Sequence, residues 1–487
     1  MTSSTPSPAA QAAQPVSTDR AVGVLLGLAA GDALGAGYEF GESLPDDVPV
    51  GMIGGGPFGW APGEWTDDTS MAMPIAQAAA RGADLRDEAV LDEIVAAWIV
   101  WARTAADVGV QTRAVLAEAE RNGGTAAAAR AAAQALHERT GKSAGNGSLM
   151  RTAPVALAHL HDQAAAAEAA RAISRLTHWD DDAGDACVLW TLAIRHAVLT
   201  GDLDARIGLP ALPAARRDRW AALLDDAEQR QPRDFARNGW VVEALQGAWS
   251  SIHGARGLRD GLERAVRGGR DTDTVAAIAG GLIGGALGAS AVPSSWGRLL
   301  HGHPGLRAHD LVALAALAAG GGKPDSTGWP VTERMDYLGW VPERSLTVHP
   351  HDHGVLLGSI VDLDDVQTDA VVSLCRIGRS QRRRVDHVEI WLIDRDEPEA
   401  NPNLDLVLRD AAEAIAAFRA EGKTVLLHCV QAQSRTPSVA ALYAALHRGV
   451  PVDQALRDVV AALPAAHPKP FLREALSRVA TTTQEAS

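Results

Sequence analysis

The stretch GGRDTDTVAAIAGGLIGGALGAS, Gly268–Ser290, decides how the first two-thirds of this chain folds. From Val275 to Gly297 it carries no charge, which is long enough to span a bilayer. Its composition argues against a span. Gly280, Gly281, Gly284, Gly285 and Gly288 crowd it, and Pro293 with two serines breaks its end. Small residues at this spacing let one helix backbone press against another, so the run reads as a buried helix of a globular core. Asp271 and Asp273 stand at its start, where the helix dipole favours negative charge.

Outward from this helix, from about Asp19 to Gly322, Ala-rich stretches repeat apolar residues at helical spacing, as in Leu91, Ile94, Val95, Trp98 and Trp101. GGGKPDSTGWPVTER, from Gly320, reads as a linker. Beyond it VLLGSIVDL, DAVVSLCRI, HVEIWLID and KTVLLHC are strand-like runs, and Asn403 and Gly422 frame a helix as N-cap and stop. The expected organisation is a disordered tail over 1–19, an all-α domain over 20–322, a linker over 323–345, a smaller α/β domain over 346–480 and a tail over 481–487.

The chain has 487 residues, 47% hydrophobic and 22% charged, with a formal net charge of −15. The apolar fraction excludes a disordered protein, and the acidic balance argues against nucleic acid as a main partner. The N-terminus lacks the basic and apolar regions of a secretory signal. Cys187, Cys375 and Cys429 form neither a disulfide framework nor a zinc cluster, so a reducing cytoplasm is the simplest home. Neither a membrane nor a nucleic acid is expected as partner.

Two chemistries stand out. In VLLHCVQAQSRTPSVAALYAAL an apolar strand ends at His428–Cys429, then Val430, Gln431, Ala432, Gln433 and Ser434 lead to Arg435, and a helix begins near Thr436–Pro437. A strand–loop–helix of this kind turns backbone N–H groups toward one anion at the positive helix end. The same field lowers a thiol pKa, and Arg435 offers a bidentate grip on phosphate oxygens. The motif resembles the cysteine-dependent phosphatases of the tyrosine and dual-specificity type, over about residues 346–480. The resemblance implies an α/β fold, a phosphocysteine intermediate on Cys429 and a phosphorylated substrate. It also implies a phosphate cradle from Val430 to Ser434 and a Thr436 hydroxyl that assists the leaving thiolate. Ala432 stands where that family has glycine. For the general acid, Asp396 is favoured by its separation of 33 residues from Cys429, with Asp394, read as closing the strand, in reserve.

The second chemistry is acidic. GEWTDDTSM places Thr66, Asp67 and Asp68 together, and GGRDTDTV places Asp271, Asp273 and Thr274. Carboxylates and hydroxyls are hard ligands suited to Mg²⁺ or Mn²⁺, although each pair alone also suits a helix N-terminus. With GDALGAGYEF and GNGSLMRTAP they form a set that resembles the ADP-ribosylglycohydrolase family over roughly residues 20–320. That resemblance implies an all-α enzyme with two Mg²⁺ ions, Mn²⁺ being a substitute, acting on an ADP-ribosylated protein or an ADP-ribosyl small molecule. It implies Thr66, Asp67, Asp68, Asp271, Asp273 and Thr274 as metal ligands, with Glu39 and Asp107 as acidic catalytic groups. Asn146, Gly147, Ser148 and His178 would then meet substrate.

TVHPHDHGV spaces His349, His351 and His353 at period two, yet Pro350 interrupts regular pairing and no metal is expected there. Arg382–Arg384 reads as a solvated basic run. Together the residues predict a bifunctional hydrolase. The alternative is a glycohydrolase whose phosphatase-like domain only reads phosphoryl groups.

Overall fold

The molecule, a computed structural model, is described over residues 16–337 and 344–485; the first 15 residues of the tail expected over 1–19, part of the expected linker at 338–343 and the last two residues lie outside that description. The chain is structured closer to both ends than the sequence suggests. Ser17 caps helix α1 (Thr18–Gly35), its Oγ accepting from Arg20 N at 3.3 Å. Asp19, read as tail, is buried and accepts from Ser290 N at 2.8 Å and Ser290 Oγ at 2.6 Å. At the other end, helix Pro470–Glu485 carries 481–485 along with it.

The first domain is helical, with a two-stranded ribbon at His301–Gly302 and Leu306–Arg307 as its small exception. Leu91, Ile94, Val95, Trp98 and Trp101 all turn inward from helix Glu88–Ala102. The centre is the contact of α1 with helix α3 (Thr272–Leu287), between which α2 (Asp67–Ala80) enters the chain. Gly27, Gly31 and Gly35 of α1 lie against Gly280, Ala276 and Asp273 of α3 so closely that a Cβ on Gly31 would stand 2.0 Å from the Ala276 carbonyl oxygen. Backbones can approach this closely only where side chains are absent on one face. The seam buries the apolar run and brings the end of α1 onto Asp273 (Cα 2.4 Å from a Cβ on Gly35). Among the described residues α1, with the turn after it, is the one helix long and apolar enough to cross a membrane, and 89% of that window is buried inside the molecule.

The second domain holds a five-stranded sheet: β1 (Thr347–His349), β2 (Asp352–Ser359), β3 (Ala370–Ser373), β4 (Asp386–Glu389) and β5 (Val425–Cys429), in the order β1-β2-β5-β3-β4. Only β1 runs antiparallel to its neighbour. Alternation in β5 sends Val425 and Leu427 toward helices α4 (Leu404–Ala420) and α5 (Arg435–His447), and Leu426 to the opposite face with Ile360 and Val371. The strands are shorter than the apolar runs. VLLGSIVDL turns into a 3-10 turn at Asp362–Asp364, and β4 stops at Glu389, so Asp394 lies five residues past a strand it was expected to close.

The domains touch extensively. Ser294 N and Oγ donate to Asp410 at 3.0 Å, Arg298 pairs with Glu421 and Asp386, and Asn403 Nδ2 donates to Leu287 O at 2.7 Å and to Ser290 Oγ at 2.8 Å. Asn403 is thus the N-cap residue of α4 but makes no side-chain cap bond. The stretch read as linker is packed: Trp329 and Met335 are buried in the core of the first domain.

Candidate functional site

α2 and α3 both begin at one cleft of the first domain, so their positive ends face the same carboxylates. The turn after α1 completes it. Phe40 N donates to Arg270 O at 2.6 Å and Arg270 N to Gly41 O at 2.8 Å, which lays Glu39 alongside Asp271. Phe40 (φ 60°) and Arg270 (φ 65°) are both held left-handed, a conformation costing a non-glycine residue about 1–2 kcal/mol. Strain of this kind persists where the surroundings over-determine the backbone.

Five of the six expected metal ligands are linked by short oxygen–oxygen distances. Thr66 Oγ1 lies 3.1 Å from Asp68 Oδ2, 3.3 Å from Asp273 Oδ2 and 3.5 Å from Asp67 Oδ1, and Thr274 Oγ1 lies 3.4 Å from Asp68 Oδ2. The sixth, Asp271, joins Glu39 and Asp273 in a triad whose carboxylate oxygens lie within 4.8 Å of one another, and Asp32, Asp68 and Asp273 form a second such triad. Burial, then the charge of Asp107, pushes Glu39 up to about 9. Burial and neighbouring carboxylates likewise raise Asp67, Asp68 and Asp273 well above the usual carboxylate range. Glu39 Oε2 and Asp68 Oδ1 are buried with no hydrogen-bond partner. Unpaired buried acceptors among mutually repelling hard oxygens are what a divalent cation neutralises, so the residues fit the expected ions.

Asp32 was not singled out in the sequence. Its Oδ1 accepts from Thr66 N at 2.8 Å and its Oδ2 from Thr69 N at 2.9 Å, so α1 caps the N-terminus of α2. Thr66, the N-cap residue, makes no cap bond of its own, and its hydroxyl is released toward the acidic cluster. The available signal was a carboxylate inside an otherwise apolar helix. Asp107 stands across the same cleft, close enough for its charge to act on Glu39 and Asp67.

The expected substrate contacts divide. Asn146 Nδ2 donates to Asp271 Oδ2 at 2.8 Å and to Asn238 O at 2.9 Å, so its side chain orients a carboxylate of the cluster. Gly147 follows in the same turn. Ser148 points away from the cleft into the core, its Oγ 3.1 Å from Ser174 Oγ. His178 is 2% exposed and lies under the turn, where Cβ atoms on Gly145 and Gly147 would each stand 3.2 Å from its ring. Burial holds it neutral, its pKa pushed down to about 3, and Nδ1 meets Thr177 Oγ1 at 2.7 Å. It supports the turn from behind and does not face the cleft. Trp240 is half-buried with the Arg237 guanidinium 5.1 Å from its ring centre.

In the second domain β5 ends at Cys429, the loop over Val430–Ser434 follows, and α5 starts at Arg435, one residue earlier than expected. Ala432 has φ 57°, the left-handed region in which glycine is unstrained. Arg435 Nη1 donates to Leu374 O at 2.5 Å and Leu392 O at 3.1 Å, while its Nε is buried without a partner. Thr436 is buried with Oγ1 3.5 Å from Gly358 O. His428 Nε2 and His387 Nε2 both meet Ser373 Oγ, at 2.6 and 2.7 Å, a bracket behind the cysteine that the sequence did not disclose. Of the two acid candidates the loop engages Asp394, whose Oδ1 accepts from Ser434 Oγ at 3.0 Å; Asp396 is exposed. Of the histidines of TVHPHDHGV, His349 and His351 meet edge to face at 6.0 Å but turn their Nε2 atoms to other partners. His349 Nε2 is 3.0 Å from Ala440 O and His351 Nε2 is 3.0 Å from Asp458 Oδ2.

Comparison with known proteins bears on the first domain. Residues 13–326 match the family described as ADP-ribosylglycohydrolase. The chain is 32% identical over 285 residues to the ADP-ribosylarginine hydrolase Tri1 of Pseudomonas putida (strain GB-1), covering 57% of this chain and 73% of that protein. It is 30% identical over 283 residues to the ADP-ribosyl-[dinitrogen reductase] glycohydrolase of Rhodospirillum rubrum, covering 57% and 89%. Among solved structures, human DUSP28 is matched at 22% identity over 30% of this chain and 97% of that one; its TM-score of 0.26 is too low to assign a fold or an activity. With a helical fold, an acidic cleft at two helix starts and a family match over most of its length, this chain belongs to the ADP-ribosylglycohydrolase family.

Proposed function

We propose that the chain hydrolyses the N-glycosidic bond of ADP-ribosylated arginine in its first domain and phosphomonoesters in its second. The observation that carries the first half is the pair of carboxylate triads sharing Asp273, with unpartnered oxygens on Glu39 and Asp68. Two relatives whose names place ADP-ribosylarginine or an ADP-ribosylated protein as substrate support the choice of linkage. Thr66, Asp67, Asp68, Asp271, Asp273 and Thr274 would hold two Mg²⁺ ions, with Mn²⁺ as a substitute. When bound, the ions supply Lewis-acid polarisation of the oxygens they hold. The chain's own residues do the rest. Glu39 and Asp107 flank the cleft as carboxylates able to stabilise positive charge on the ribose ring as the glycosidic bond breaks. Asn146 keeps Asp271 in place.

In the second domain the Cys429 thiolate attacks phosphorus. The S–P bond forms as the ester P–O bond breaks, Arg435 and the loop N–H groups bind the oxygens, and an aspartate gives its proton to the leaving oxygen. The bond from Ser434 makes Asp394 the better placed acid on this geometry. Water then cleaves the phosphocysteine, releasing phosphate and restoring the thiol. A second reading has a specific observation behind it: Ala432 at φ 57° strains the cradle, which favours a loop that binds phosphoryl groups without turning them over.

Reciprocal substitution tests both halves. Cys429→Ser should abolish phosphate release and leave ADP-ribose release intact, and Asp67→Asn should do the reverse. Loss of both activities from either change refutes two independent sites. Wild-type chain that binds vanadate but releases no phosphate from aryl or peptide phosphomonoesters supports the reader.

A further inference from the structure

The stretch before the second domain does more than connect. Asp325 builds a tight turn, its Oδ1 accepting from Thr327 N at 2.8 Å, Thr327 Oγ1 at 2.6 Å and Trp329 N at 3.2 Å. Its other oxygen reaches into the second domain and takes Arg376 Nη1 at 2.7 Å. The Arg376 guanidinium lies 4.2 Å from the ring centre of Trp329 and 5.4 Å from that of Trp391, and the two indoles meet edge to face at 6.1 Å. Tyr337 Oη donates to Arg376 O at 2.8 Å. Farther along, Arg379 N and Ser380 N donate to Thr332 O and Glu333 O, and Met335 N donates to Gln381 Oε1. The connecting stretch, packed against the core of the first domain, therefore holds the loop that follows β3 along its length.

That loop carries half of the anion site's frame. Leu374 O and Leu392 O, the carbonyls that align the Arg435 guanidinium, lie two residues before Arg376 and one residue after Trp391. A cation packed on two touching indoles and tied to a carboxylate fixes both stretches at once. The geometry points to Asp325 and Trp329 as positioning residues for Arg435: the connecting stretch, anchored in the first domain's core through Trp329, sets the oxyanion grip of the second domain. The clamp explains why Trp329, which the sequence assigns to a linker, is only 6% exposed. It also gives the connection between the domains a physical role, since the frame of the second site is braced by a stretch seated on the first domain. This inference rests on the reading of the cysteine loop as an oxyanion site.

The test uses the full chain and orthovanadate as probe. Trp329→Ala and Asp325→Asn should each weaken vanadate binding by about tenfold. Trp329→Phe, which keeps an aromatic face on Arg376, should recover most of the loss, and ADP-ribose release should be unchanged in all three. A role in folding alone would lower the melting temperature without shifting the vanadate titration. Vanadate affinity equal to wild type in both Trp329→Ala and Asp325→Asn overturns the clamp. Wild-type chain that binds no vanadate overturns the cysteine-loop reading and the clamp with it. If Trp329→Ala does not fold, Asp325→Asn, at an exposed carboxylate, decides the question.

Discussion

The two sites of this chain are built with opposite charge. In the first domain two helix starts and the turn after α1 crowd buried carboxylates until some oxygens have no partner. In the second domain a helix start and a guanidinium stand around a loop that follows a thiol and contains no carboxylate. Helix N-termini serve both, because a positive dipole end steadies a carboxylate that will hold a cation and equally steadies a bound phosphate. The difference lies in what each site lacks. On the proposed reading, the acidic cleft takes added positive charge and the cysteine loop takes an added anion. The same helix geometry therefore says nothing about function until the side chains at its mouth are read.

If the acidic cleft is destabilised by its own repulsion, removing one charge should stabilise the metal-free protein while removing its function. Asp68→Asn should lower ADP-ribose release by at least about a thousandfold and abolish the melting-temperature rise that Mg²⁺ gives the wild type. It should also raise metal-free stability by roughly 1–3 kcal/mol. Calorimetry with and without Mg²⁺ separates these effects, and a metal-free variant less stable than wild type would break the comparison.

Next comes the seam that sets the cleft. Gly31→Ala puts a Cβ 2.0 Å from Ala276 O, so the helices must part, at a cost of about 3 kcal/mol or more in urea unfolding. ADP-ribose release should fall with it, because the seam carries Asp273.

A smaller effect belongs to Asp19, whose pKa burial pushes up to about 6. A folded-state value above the ordinary 3.8 means the folded protein holds the proton more tightly. The resulting stability is complete below about pH 4 and is lost as pH rises through 6. Asp19→Asn should flatten that part of the stability profile, on the order of 2–3 kcal/mol across it.

The smallest change lies in the other site. Ala432→Gly should relieve left-handed strain and stabilise the chain by about 1–2 kcal/mol. It should raise phosphate turnover if strain is what limits it. No gain in turnover, with stability improved, would sharpen the second domain into a reader.

Much of this was legible in the residues. The glycine-spaced helix, the inward stripe of helix Glu88–Ala102 and the strand–loop–helix around Cys429 follow from local periodicity, and the structure has them. The aspartate pairs were legible as hard-ligand clusters. What local pattern could not give was partnership across the chain. Asp32 caps a helix 34 residues away, Asp19 answers Ser290, and Trp329 leaves a Pro- and Gly-rich stretch to clamp Arg376. Asp394 came to the loop ahead of Asp396 because Ser434 reaches it, a contact between residues 40 positions apart. His178 and Ser148 went the other way, since burial beneath a turn leaves no trace in spacing.

The central claim, a cation-dependent glycohydrolase site in the first domain, is tested most directly by ADP-ribose release from an arginine-ADP-ribosylated peptide by the full chain. Release in Mg²⁺, loss in EDTA and recovery when Mg²⁺ is restored are the predicted results. Release that survives chelation, or no release with Mg²⁺ or Mn²⁺, would contradict it.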